Sequence, residues 1–453
     1  MIGVAGRRSV AAVAAHSVGV ATIRSIPAAL VGVIAVLAVA AVVWHLSIGT
    51  VGDIRHGLFG PGIDTKVYRG GARAIIDGTP LYAGPVFEIW QFTYPPFAAI
   101  AMLPLGLVSP HRAVLAMNAV NVVCLVLLVA LTLRGLGFRR DGRFWLATVL
   151  AAVAMTALEP VRGTFGNGQI NLVLAVLIIG GLTLTRGPWR GIGIGIAAGI
   201  KLTPLFFAAY LAVTRQWKAL VVAVATFAVT VVVGLAVIPG QAWEFWTVTV
   251  HDTSRIGPLA WPANQSFNGF FVRLGALQGL WNAPSWLWLP VGVVVAVVAL
   301  FASWWAWRCG ATMLAITITG MASCAVSPFS WGHHWVWLVP LLLIGLVQAV
   351  ESARRSRPVT WLWWLAPAAV VVFGLTWPSH KWDGRVSVLQ FGMFRLFADP
   401  DPHGWRAVAA VIASGSYLLV LLATLAVTLW WCGRRDPIRF NANRSVGAGE
   451  PLR

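Results

Sequence analysis

Residues 26–48 read IPAALVGVIAVLAVAAVVWHLSI, and this run decides the fold class. It carries no Asp, Glu, Lys or Arg. An α-helix needs about 20 apolar residues to cross the ~30 Å hydrocarbon core of a bilayer. Working outward, similar runs recur at approximately 112–133, 144–157, 169–185, 218–238, 284–304, 309–325, 335–350, 360–376 and 406–432. The whole chain of 453 residues is 58% hydrophobic and only 10% charged, with a mean hydropathy of +0.80. Soluble domains carry roughly 25% charged residues, so the composition predicts an all-α polytopic membrane protein. Arg7, Arg8 and Arg24 precede the first run. That run is too long for the apolar region of a signal peptide and lacks a clear cleavage site, so it reads as an uncleaved first span.

A net charge of +19 would suggest nucleic acid in a soluble protein. Here the basic residues cluster at span ends, where cytoplasmic orientation and anionic headgroups account for them, and no nucleic-acid partner is expected. Arg7, Arg8 and Arg24 predict a cytoplasmic N-terminus. Arg139, Arg140 and Arg143, then Arg186 and Arg190, Arg215 and Lys218, Arg354, Arg355 and Arg357, and finally Arg434, Arg435 and Arg439 continue the cytoplasmic series. Cys124, Cys309, Cys324 and Cys432 have no metal-like spacing and read as small buried hydrophobes. Many of the 25 tryptophans fall near span ends, as interfacial anchors do.

All the basic loops share one side only if two apolar stretches do not cross in the ordinary way. Tyr94-Pro95-Pro96 through Val108 is short and interrupted by Pro104, so it dips into the outer leaflet or lies along it. Residues 191–213 carry Lys201-Leu202-Thr203-Pro204 in their middle and should enter and return to the same side. Broken backbone at that depth must line protein or a cavity. The hairpin counted as two gives about twelve membrane helices. The expected organisation is a cytoplasmic segment 1–25, a membrane domain 26–432 and a cytoplasmic tail 433–453. Its outer loops would be 49–94, 239–283, 326–334 and 377–405. This topology puts most of the acidic residues outside and predicts that polar chemistry lies on the outer face. No matched pair of broken helices marks the two halves, as it does in many transporters.

The stretch GIDTKVYR, residues 62–69, follows the first span directly. A carboxylate there, Asp64, can take a proton from a sugar hydroxyl brought to the membrane surface; the competing reading is a helix N-cap. Lys66, Tyr68 and Arg69 beside it, and Tyr94 at the end of the same loop, are candidate substrate contacts. Glu159-Pro160-Val161-Arg162 leads to GNGQIN, residues 166–171, where Asn167 and Gln169 either bind sugar hydroxyls or cap a helix. The central loop holds WPANQSFNG, residues 261–269, and its Asn264, Gln265 and Asn268 sit among aromatic residues as sugar-binding amides do. Ordinary interfacial loops share that composition. In SPFSWGHHW, residues 327–335, two adjacent histidines on a helix would point about 100° apart, one into a site while the other packs or faces solvent. Such a histidine either meets a phosphate or anchors at the interface with tryptophan. Lys201, inside the apolar hairpin, needs an anion, a carbonyl cluster or a structural partner.

The order of these motifs resembles that of the GT-C glycosyltransferases that use polyprenyl-phosphate sugars. The likeness runs from about residue 25 to 430 and is to the GT87-type branch, which includes mycobacterial phosphatidylinositol mannoside α-1,2-mannosyltransferases. The resemblance implies a GT-C-type fold with an outer-face active site. It implies inverting transfer of mannose from polyprenyl-phosphate mannose to a lipid-linked mannoside in the plasma membrane. It also implies that Asp64 is the general base and that His333 or His334 meets the donor phosphate, with Lys201 matching a recurring lysine before proline. A polyprenyl phosphate leaves without a diphosphate to coordinate. The only Asp-x-Asp spacing, Asp399-Pro400-Asp401, reads as an exposed turn, so neither a metal nor another cofactor is expected. The alternatives are an acceptor in lipomannan or lipoarabinomannan and, more distantly, a lipid or small-molecule transporter. A transporter would place ionisable residues at mid-membrane, where only Lys201 qualifies.

Overall fold

The computed structural model describes residues 24–47, 58–278, 286–355, 362–379, 389–395 and 405–434. The expectations for residues 1–23, most of the loop 377–405 including Asp399 and Asp401, and the tail after 434 lie outside the described residues. What is described is mainly helical. Two short antiparallel hairpins interrupt the helices, Pro85–Phe87 with Trp90–Gln91 and Trp377–Ser379 with Leu389–Phe391.

Five helices are long and apolar enough to cross a membrane: Ala28–Leu46, Pro110–Gly135, Trp217–Val237, Trp288–Arg308 and Ser416–Gly433. Glu159–Asn167 and Asn171–Leu184 form a pair bent by 118° that would make a sixth. Four more apolar helices, Gly142–Met155, Thr203–Val213, Thr312–Ala325 and Trp363–Gly374, are shorter. A 14-residue helix such as Gly142–Met155 rises only about 21 Å. The run 406–432, read from sequence as one span, is two helices, Trp405–Ser414 and Ser416–Gly433, parted at Gly415.

Local sequence accounts for the boundaries. Pro96 and Pro110 occupy first-turn positions, where their missing N–H is not needed. Asp141 caps Gly142–Met155 by accepting from the Phe144 N–H at 3.0 Å. At the centre of 191–213 the helix Ile192–Ile200 ends on an extended Lys201, and the chain resumes as a 3-10 turn Thr203–Leu205 and a helix Phe206–Val213. Pro204 has no N–H to give the Ile200 carbonyl four residues back, and its ring crowds that carbonyl, which favours the break.

Leu338–Arg354 and Thr312–Ala325 are buried along almost their whole length and form the centre of the bundle. Trp217–Val237 lies at its edge, exposing Val221, Val229 and Val232. The bundle has two distinct polar ends. At one, Arg24 meets Glu351 at 2.5 Å, its N–H donates to the Gly137 carbonyl, and the Ser25 hydroxyl donates to Asp141. Segments that the arginine pattern assigns to one side therefore gather there. Leu338–Arg354 runs from that end to the His333-His334 turn at the other, where the first loop, Tyr94 and Glu159 also come together. Cys124, Cys324 and Cys432 are buried.

Candidate functional site

A cavity of about 880 Å³ opens at this second end. Its first wall is the helix Ile63–Asp77, whose start is pinned to the turn after Glu159–Asn167. The Gly62 N–H donates to the Gly166 carbonyl at 3.0 Å, and the Thr65 hydroxyl to the Gly168 carbonyl at 2.9 Å. Gly168 ends its helix at φ +66°, and a Cβ there would lie 1.9 Å from the Thr65 hydroxyl oxygen. Only glycine supports both the turn and this approach. Gly62, not Asp64, is the N-cap residue, and it makes no side-chain cap bond. Asp64 is therefore free of the capping role and lines the cavity, partly buried.

Beneath Asp64 lies a connected polar network. The Tyr68 hydroxyl donates to Gln169 Oε1 at 2.8 Å and lies 3.1 Å from the Tyr94 hydroxyl. Asn171 Nδ2 also donates to Gln169 Oε1, at 3.3 Å, which leaves the Gln169 amide N–H for Asp64. Burial pushes the Asp64 carboxyl up to about 6, against the opposing hydrogen bond from Gln169 and charge of Lys201. Neither Gln169 nor Asn171 caps the following helix, whose N-cap is Ile170.

Lys201 comes from the helix break. Its Nζ lies 2.8 Å from His334 Nε2 and donates to Asn171 Oδ1 at 3.1 Å, above the Tyr94 ring at 5.6 Å. The expectation that one histidine faces the site while the other packs or faces solvent does not hold. His333 and His334 form a tight 3-10 turn rather than a regular helix, and both line the cavity with ring centroids 4.9 Å apart. Burial, reinforced by the positive charge of Lys201, holds His333 down to about 3 and His334 well below its usual value. Both rings are neutral at pH 7. His334 Nε2 then accepts from Lys201, which assigns the proton to Nδ1. His333 Nε2 is buried with no hydrogen-bond partner in the protein. Asn171 Nδ2 donates to the His333 carbonyl at 3.0 Å, so one amide ties this turn to Lys201.

Glu159, buried, accepts from the Tyr417 hydroxyl at 2.5 Å and lies directly under Gly332. A Cβ on Gly332 would fall 2.4 Å from Glu159 Oε2. Glu159, Arg162 and Asn167 line the cavity, as does Tyr94. Lys66 and Arg69 do not: Lys66 stacks over Phe87 at 5.3 Å, and Arg69 Nε donates to the Val108 carbonyl at 2.8 Å.

The central loop also differs from the sugar-binding arrangement expected of it. Asn264 Oδ1 accepts from the Ser330 N–H at 3.0 Å and the Ser266 hydroxyl at 2.9 Å, while its Nδ2 donates to the Leu259 carbonyl. Gln265 Nε2 donates to the Pro262 and Ser414 carbonyls, and Asn268 Nδ2 to Pro328. All three are buried and face away from the cavity, joining the loop to the Ser327–Trp335 stretch. Amides among aromatic residues serve a buried loop as well as a sugar, and composition does not separate the two. Asn171 lies in the GNGQIN stretch quoted above, whereas Tyr417 and Arg255 are residues at the site that motif reading passed over. Tyr417 gave no local signal; the signal that could have found Arg255 is a basic residue in a loop expected on the acid-rich side.

Among the described residues no group of three His, Cys, Asp or Glu side chains converges on a point where they could hold a metal ion. The family model described as Glycosyltransferase family 87 matches residues 92–328. The chain belongs to glycosyltransferase family 87. Relatives within this family match over longer stretches. A Mycobacterium tuberculosis polyprenol-phosphate-mannose-dependent α-(1-2)-phosphatidylinositol mannoside mannosyltransferase is 33% identical over 82% of this chain and 89% of that protein. Its Mycolicibacterium smegmatis namesake is 35% identical over 70% of this chain and 77% of its own length. A polyprenol-phosphate-mannose-dependent α-(1-2)-phosphatidylinositol pentamannoside mannosyltransferase of Mycolicibacterium smegmatis is 34% identical over 82% of this chain and 84% of that protein. No solved structure matches the chain significantly. As a family 87 glycosyltransferase, the protein carries at one end of its helical bundle a cavity lined by Asp64, Lys201, His333 and His334.

Proposed function

We propose that the chain is an inverting mannosyltransferase of the plasma membrane. It moves mannose from polyprenyl-phosphate mannose to a phosphatidylinositol mannoside and forms an α-1,2 linkage on the extracytoplasmic face. The observation that carries this reading is one cavity holding a carboxylate with a raised pKa, Asp64, together with the Lys201–His334 pair. The kinship with α-(1-2) mannosyltransferases supports the choice of sugar and linkage. Gathering of the segments around Arg24 and Arg139 at the opposite end supports the sidedness, and the apolar helices support a GT-C-type bundle, which we read as one of about twelve membrane helices.

In this mechanism the Asp64 carboxylate removes the proton from the acceptor 2-hydroxyl as its oxygen attacks the anomeric carbon. The bond from that carbon to the phosphate oxygen breaks on the opposite face, and the electron pair leaves with the polyprenyl phosphate. One carboxylate suffices, since inversion needs no covalent intermediate. Lys201 faces the charge that develops on the leaving phosphate. His333 Nε2, which has no protein partner, donates to the phosphate, and His334 holds Lys201 in position. Glu159, Arg162, Asn167 and Tyr94 border the sugar-binding space. Gln169 sets the Asp64 carboxylate and Tyr68 sets Gln169. No step requires a metal or another cofactor.

The test is transfer by purified full-length protein from polyprenyl-phosphate mannose to a panel of lipid mannosides, with chelator present, followed by α-1,2-specific mannosidase digestion. An α-1,2-mannosylated lipid is expected. Transfer to none of the lipids, or transfer abolished by chelator, would overturn this reading.

A further inference from the structure

Three cations line the cavity, Lys201, Arg162 and Arg255, and the transfer mechanism does not use the last. Arg255 lies in the 3-10 turn Thr253–Ile256 and lines the cavity. Its Nη2 donates to the Tyr82 carbonyl at 2.7 Å, while its Nε is buried with no hydrogen-bond partner. Neighbouring Asp252 does not pair with it. Asp252 Oδ1 is turned to Ser254, accepting from its N–H at 3.1 Å and its hydroxyl at 2.6 Å. Among the described residues no carboxylate forms an ion pair with Arg255.

Lys201 and Arg255 occupy different parts of the cavity. The charge of Lys201 acts on Asp64, His333 and His334, whereas that of Arg255 acts on Tyr82 and Asp252. An aromatic wall links them: the Tyr82 hydroxyl donates to the Tyr94 carbonyl at 2.9 Å, Phe92 packs between their rings, and Lys201 sits over Tyr94. Tyr82 is fully buried, so the carbonyl that anchors Arg255 belongs to rigid structure. A buried guanidinium N–H without an acceptor is costly. A fixed guanidinium edge matches a phosphate in shape and charge better than an ammonium does.

The donor brings a single phosphate, which the Lys201 region takes. We propose that Arg255 binds a second phosphodiester, that of the acceptor lipid headgroup, and so selects phosphoinositide-linked over neutral mannosides. This inference rests on the mannosyl-transfer reading above. Arg255 is then a specificity-determining residue that touches the acceptor away from the reacting hydroxyl.

Kinetics of full-length wild type, Arg255→Gln and Arg255→Lys with two acceptors test it. One acceptor is phosphatidylinositol dimannoside, which carries the phosphodiester, and the other is octyl α-mannoside, which carries no charge. The expected result is a KM for the phosphoinositide acceptor raised about tenfold in Arg255→Gln. Arg255→Lys should fall between, and donor KM and transfer to octyl α-mannoside should stay at wild-type values. Equal losses with both acceptors would make Arg255 structural. A rise in donor KM alone would assign it to the donor phosphate, and no change at all would remove it from the site. Each of those outcomes overturns the proposal while wild-type transfer stands. Wild-type transfer to neither acceptor would instead overturn the mannosyl-transfer reading, and this inference with it.

Discussion

Lys201 Nζ lies 2.8 Å from His334 Nε2, which joins a break in a membrane helix to a turn 133 positions further along the chain. The lysine has no carboxylate ion pair among the described residues, so its nearest opposite charge must come from a bound molecule or from Asp64 across the cavity. Replacing it by an apolar side chain of similar length removes a buried cation whose direct hydrogen-bond partners, His334 Nε2 and Asn171 Oδ1, are neutral. Lys201→Met should therefore stay folded. Its kcat/KM with polyprenyl-phosphate mannose should fall by about 10²-fold or more, the usual loss when one charge-stabilising group is removed. Steady-state kinetics on the purified variant check this.

Gly332 is required by the carboxylate beneath it. In Gly332→Ala the new methyl would fall 2.4 Å from Glu159 Oε2, so the His333-His334 turn must lift or Glu159 must leave Tyr417. Overpacking of this kind costs about 1–3 kcal/mol. A lowered melting temperature and reduced transfer are expected together, measured by thermal unfolding and activity on the same preparation.

The asparagine of the central loop tests a structural role against a binding one. Asn264→Ala removes the acceptor of the Ser330 N–H and the Ser266 hydroxyl, both buried. The loss should be about 1–3 kcal/mol of stability. The KM values for donor and acceptor should be unchanged at a temperature where the variant is folded. A raised KM without loss of stability would return Asn264 to substrate binding.

The pH dependence follows from the burial of Asp64. As a base it works only when ionised, and its pKa is raised to about 6. Below that value kcat/KM should fall about tenfold per pH unit, and above it a plateau should begin. His333, held down to about 3, is already deprotonated across this range and adds no second step, and burial also lowers His334 well below its usual value. A pH–rate profile between pH 5 and 8, corrected for stability, reads this directly.

Much of this arrangement is legible in the residues themselves. Long uncharged runs specify spans because lipid leaves the backbone no other partner. The proline after Lys201 specifies its break, and the arginine series gathers segments such as those of Arg24 and Arg139 at one end. Asp64 and Lys201 stand out because an ionisable group in or beside an apolar run is expensive. What the sequence conceals is direction. WPANQSFNG and GNGQIN have similar compositions, yet the amides of the first turn into the protein while Gln169 and Asn171 turn towards the site. That difference depends on partners far away, Ser414 and Lys201, which no local pattern reveals. The same reason hid Tyr417, which meets Glu159 only after the bundle closes, and made the adjacent histidines read as a helix.

The central claim is that Asp64 is the base. Its most direct test is mannose transfer by purified wild type and Asp64→Asn, with matched melting temperatures, from polyprenyl-phosphate mannose to phosphatidylinositol mannosides. The account predicts transfer by the wild type and a loss of at least ~10²-fold in the variant, with donor binding retained. A folded variant that transfers at the wild-type rate would contradict it.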